Sequence, residues 1–121
     1  MPQIVRIKPG RRFCEAIVCG GMVYISGQVD VTYSRTTKEQ TKEVLKIIDE
    51  LLEKAGSDKN HILRCTVYLS NMGSFSEMNE AWEEWAAPEA LPTRSVLESA
   101  LPDPSWKVQI STIAVVKNAD P

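Results

Sequence analysis

Between Thr37 and Gly56 the chain carries a pattern that constrains everything around it. Val44, Ile48, Leu51 and Ala55 recur at helical spacing, and Leu45, Ile47 and Leu52 widen them into one broad apolar face, with lysines and glutamates opposite. Thr37-x-x-Gln40 reads as a capping box at the start, and Gly56 as the stop at the far end. A helix with so wide an apolar face has to lie on a sheet. The remaining runs supply that sheet.

Residues 3–8 (QIVRIK) alternate polar and apolar and read as a first strand, closed by Pro9-Gly10. Residues 13–19 (FCEAIVC) make a second, joined through the hairpin signal Gly20-Gly21 to a third at residues 22–28 (MVYISGQ). A fourth strand is expected at residues 62–70, with Cys65, Val67 and Leu69 on one side and Arg64, Thr66 and Tyr68 on the other. Ser74-x-x-Glu77 reads as the cap of a second helix through Trp85, on which Phe75, Met78, Trp82 and Trp85 share a core-facing stripe. A fifth strand is read at residues 93–100 and a sixth at residues 106–116.

This order, β-ββα-β-α-ββ, implies an α+β fold with a helical layer on one face of a mixed sheet. Val108, Ile110, Ile113 and Val115, added to the fourth strand, exceed what one helical face can hide. Burying the spare face against another copy solves this, so a closed homo-oligomer is expected. A chain of 121 residues suits a single domain over residues 1–121.

Composition excludes several functions. With 14 lysines and arginines scattered among 16 carboxylates, a net charge of −2 offers no basic footprint for nucleic acid. The opening residues lack a signal-peptide apolar core and no stretch approaches 18 apolar residues, so neither secretion nor a membrane span is expected, and the chain reads as cytoplasmic. Cys14, Cys19 and Cys65, an odd count without C-x-x-C spacing, read as reduced, packed thiols. A catalytic cysteine would need a histidine partner and a zinc site more ligands than His61 and unspaced cysteines provide, so no metal is expected.

The stretch Leu91-Pro92-Thr93-Arg94-Ser95 reads as a turn entering a strand. An arginine there either solvates on the surface or holds its planar fork toward a small carboxylate. Asn79, in mid-helix beside the apolar stripe, sits where propensity does not favour it, so it caps or binds something.

Ile25-Ser26-Gly27-Gln28, Gln40-Thr41 running to Ala55-Gly56, Thr66-Val67-Tyr68-Leu69, Phe75-x-x-Met78-Asn79-x-x-Trp82, Pro92-x-Arg94-Ser95 and Ile113-Ala114 together resemble the RidA/YjgF (Rid) family. The likeness spans about residues 3–116, and the details after Asn79 are similar to its YoaB-like branch. The resemblance implies a chorismate-mutase-like fold assembled as a homotrimer, with sites in the clefts between subunits. It implies cofactor-free hydrolysis of enamines and imines such as 2-aminoacrylate to 2-keto acids and ammonia, as in 2-iminobutanoate/2-iminopropanoate deaminases.

By that resemblance Arg94 binds the substrate carboxylate, Ser26 stands at the site, and Gly27 lets backbone approach the ligand. Asn79 lies near the site and Phe13 keeps an aromatic wall where archetypes carry tyrosine. The archetypes' water-positioning glutamate on the last strand aligns with Ser111, and Val96 replaces a cysteine. A serine is no base near neutral pH unaided. The alternative is therefore a non-catalytic protein that binds a small carboxylate metabolite or regulates a partner enzyme. Ribonuclease activity, assigned to some family members, lacks both a basic groove and a His/Lys pair here.

Overall fold

The computed structural model describes residues 2–32 and 36–118. Its strands are β1 (Val5–Pro9), β2 (Cys14–Cys19), β3 (Met22–Gln28), β4 (Ile62–Leu69), β5 (Thr93–Glu98) and β6 (Val108–Val115); its helices are α1 (Thr37–Lys54) and α2 (Phe75–Trp85). They form one mixed sheet in the order β1-β2-β3-β6-β4-β5. All neighbours run antiparallel except β4 and β5, which α2 connects as a parallel pair. The expected α+β architecture is the one observed, with six of the twelve strand ends drawn in by one or two residues, five as expected, and β1 running one residue further, through Pro9.

Both helices lie on one face. Val44, Leu45, Ile48 and Leu52 of α1 pack with Met78 of α2 onto Val23, Cys65, Val67, Leu69, Val108 and Ile110, all essentially buried. Each large side chain removed from water here contributes about 1.5–3 kcal/mol. Strand alternation sends Tyr24, Thr66, Tyr68, Ser111, Ile113 and Leu97 toward the other face. Tyr24 and Leu97 on it are each 46% exposed. Cys65 is fully buried 3.6 Å from Thr112 Oγ1, and burial pushes its thiol pKa up, which suits an inert packing residue.

The helix starts differ from expectation. The capping box belongs to Thr36 and Glu39: Thr36 Oγ1 accepts from the Glu39 N–H at 3.0 Å and Glu39 Oε1 accepts from the Thr36 N–H at 3.0 Å. Gln40, expected in the box, is buried instead. Its amide donates to the Ser105 carbonyl at 3.0 Å and accepts from the Lys107 N–H at 2.8 Å, tying α1 to the approach to β6. Ser74 precedes α2 but makes no side-chain cap bond, and Glu77 accepts from the Lys38 N–H on α1. Phe75, expected in the core stripe, is 40% exposed, whereas Met78 and Trp82 are buried.

Candidate functional site

Arg94 enters the sheet on β5 opposite Cys65, a core-facing position, so its side chain runs under α2. Its guanidinium carbon lies 5.0 Å from the Trp82 ring centre and Nη1 is 3.9 Å from the Met78 sulfur. Trp82 is itself fixed by burial and by a tilted contact with Trp85 at 5.4 Å. Arg94 forms no ion pair with any described carboxylate. It lines a cleft of about 400 Å³ with Asn79, Trp82, Glu83 and Leu91. Asn79 makes no side-chain hydrogen bond among the described residues, and Arg94 donates only weakly, to the Met78 sulfur, so both bring available donors to this space. Such a cleft can take a planar carboxylate through the guanidinium fork.

The other expected residues gather elsewhere. Ile25 pairs with Thr112 and Gln28 with Ile110, so Ser26 and Gly27 together stand opposite the single residue Ser111. This is a β-bulge, a device that re-aims side chains at sites. It brings Ser26, Gly27 and Ser111 side by side. A Cβ on Gly27 would lie 2.7 Å from Cδ of Gln109, so the glycine is needed for the Gln109 amide to lie across the bulge. Ser26 Oγ donates to the Glu15 carbonyl at 3.2 Å, and Gln28 Nε2 donates to Glu15 Oε1 at 3.0 Å. Phe13, 59% exposed, lines an adjoining cleft of about 470 Å³ with Glu15, Gly27 and Trp106.

Two groups thus stand apart in one chain: Arg94 with Asn79, and Phe13, Ser26, Gly27 and Ser111. Strands β4 and β6 separate β5 from β3, which at about 4.8 Å per strand puts Ser26 and Gly27 roughly 14 Å from Arg94, with Ser111 on β6 roughly 10 Å away. Glu98, on Arg94's strand face, accepts from the Met72 N–H at 2.9 Å and so holds the chain entering α2. Glu15 and Gln109 were missed by sequence reading. Their signal was present in strand alternation, because each is a polar residue between inward-facing neighbours.

A family model described as endoribonuclease L-PSP matches residues 3–116. A RutC family protein from Haemophilus ducreyi is 43% identical over 115 residues, covering 95% of this chain and 98% of that one. The RutC family protein YoaB of Escherichia coli is 34% identical over 93% and 98% of the two chains. Among solved structures, a YjgF family member from Neisseria meningitidis superposes with a TM-score of 0.94 at 37% identity, over 96% of this chain and 97% of that one. The mixed sheet, the helical layer and these likenesses along nearly the whole length agree: the chain belongs to the YjgF/RutC (Rid) family, whose model carries the description endoribonuclease L-PSP.

Proposed function

We propose that the protein hydrolyses small reactive imines and enamines of 2-keto acids, releasing the keto acid and ammonia without a cofactor of its own. The observation that carries this reading is Arg94: a half-buried guanidinium stacked on Trp82, unpaired with any described carboxylate and facing a cleft of about 400 Å³ beside Asn79. A guanidinium in that setting is preorganised for a substrate carboxylate. Hydrolysis then asks mainly that the protonated C=N be oriented against one water.

The roughly 14 Å from Arg94 to Ser26 and Gly27 is too far for one small substrate, so the reading pairs Arg94 and Asn79 of one copy with Phe13, Ser26 and Gly27 of another. That arrangement accords with the trimer the resemblance implies, and the part-apolar free face supplies a surface on which copies can meet. The test supplies 2-aminoacrylate from a pyridoxal-phosphate dehydratase and follows its decay. Wild type accelerates it and Arg94→Ala does not; equal decay with and without wild type would refute hydrolysis of this substrate.

A binding or regulatory role is the second reading, favoured by Ser111, which brings no carboxylate to the last strand. Saturable keto-acid binding by calorimetry, without turnover of any imine tried, would select it. Ribonuclease chemistry draws less support. Lys38 and Lys42 are paired with Glu80 and Glu84, and His61 with Asp58.

A further inference from the structure

The imine-hydrolase reading leaves one chemical gap, because neither Ser26 nor Ser111 can take a proton from water unaided. The bulge offers what they lack. Its two residues are flanked on β2 by a carboxylate, Glu15, and on β6 by an amide, Gln109. We propose that Glu15 is the catalytic base of this site, and the assignment rests on the hydrolase reading above.

The geometry favours Glu15 over its competitors. Its Oε1 accepts from Gln28 Nε2 at 3.0 Å, and the one proton of Ser26 Oγ is shared between this oxygen at 3.4 Å and the Glu15 carbonyl at 3.2 Å, which fixes the carboxylate beside the bulge. Gln28 is only 7% exposed and donates also to the Ser26 carbonyl, so this support is held in place. Both donors are neutral, and Glu15 forms no ion pair among the described residues. Oε2 makes no hydrogen bond among them and is available to water. Glu15 also lines the cleft that Phe13 and Gly27 border. By contrast, Glu98 is committed to the Met72 N–H, and Glu83 lines the Arg94 cleft, apart from the bulge. Glu43 and Glu50 reach the Glu15 cleft from α1 but make no hydrogen bond to the bulge.

The step balances without a further reagent. Water attacks the carbon of the protonated imine, the C–O bond forms, the C=N π pair moves to nitrogen, and the water's proton passes to Glu15. Glu15 returns that proton to the amine nitrogen. The C–N bond then breaks with its electron pair leaving as ammonia, and the hydroxyl proton passes to Glu15 as the carbonyl forms. That proton leaves with ammonia as ammonium. Gln109 and Ser26 orient the water as hydrogen-bond partners.

The test compares wild type, Glu15→Gln and Glu15→Ala in the 2-aminoacrylate assay, with 2-ketobutyrate binding measured by calorimetry on the same preparations. Glu15→Gln retains an oxygen that can accept from Gln28 and Ser26. It is expected to lower kcat by about 10²–10⁴-fold, the usual worth of general acid–base catalysis, while keto-acid affinity stays within about threefold. Added formate should restore part of the activity of Glu15→Ala, which a structural role would not produce. A Glu15→Gln enzyme with wild-type kcat, or no formate rescue of Glu15→Ala, overturns the base assignment and leaves the hydrolase reading standing. An inactive wild type overturns both, and the calorimetry then shows whether carboxylate binding survives.

Discussion

The cleft under α2 and the bulge on β3 divide the proposed site's work in different ways. At the cleft, one cation is fixed by an aromatic face and a weak hydrogen bond from Nη1 to sulfur, with no donor given to a described oxygen. At the bulge, neutral donors and one carboxylate are knitted together by short contacts, and a glycine gives up its side chain so that an amide can lie across it. The first region is built to attract a charge; the second is built to place small polar groups. On the proposed reading, recognition and proton transfer share neither a strand nor a copy of the chain.

The sharpest way to break this comparison is to remove the cation. Arg94→Ala should cost about 2–5 kcal/mol in keto-acid binding and in kcat/KM alike, and Arg94→Lys should recover little because an ammonium lacks the planar fork. Calorimetry and the decay assay read the two quantities separately.

Mixing the damaged regions gives the next effect. Refolding inactive Arg94→Ala together with inactive Glu15→Gln should regain a measurable fraction of activity if sites join two copies. Two dead preparations that stay dead when mixed would place both regions' work within one chain.

Gly27→Ala tests the bulge alone. The clash is with the end of a flexible glutamine, so stability should fall by no more than about 1 kcal/mol while kcat drops at least tenfold and keto-acid affinity holds. Joint loss of affinity and kcat would mean that the two regions are coupled.

The smallest effects concern the scaffold that carries both. Thr36→Ala should cost about 1 kcal/mol in urea unfolding, because it breaks a two-way capping box, whereas Ser74→Ala should be close to neutral. Acidification offers a companion check away from both regions. The hydrogen bond from His61 holds the Asp58 carboxyl below its ordinary value, so its contribution is present above the unfolded pKa and fades as pH falls through the folded one. His61→Ala should flatten that acid limb slightly.

Much of the architecture was legible because periodicity reports burial. The α1 stripe and the alternation of Cys65, Val67 and Leu69 place the core with no tertiary information. The cap was misread by one residue because Thr36 and Thr37 each precede an acidic or amide residue by three positions, and only the packing of Gln40 against residues 105–107 decides between them. The Arg94 turn was legible from local chemistry. The bulge was not, since it exists only as a mismatch between β3 and a strand some eighty residues later. Alternation marks Glu15 and Gln109 as outward polar residues, but only that pairing shows what they stand beside.

The position of β6 has a consequence for how the molecule comes into being. It is the last element in the chain and yet lies between β3 and β4, near the middle of the sheet. During synthesis the β1–β3 hairpins and the β4–α2–β5 unit emerge as two separate edges, each with an open row of backbone hydrogen-bonding groups, and the final segment must slot between them. Until it does, neither the core nor the bulge can exist. Loss of the final strand would split the sheet in two, whereas loss of β1 would trim only a margin.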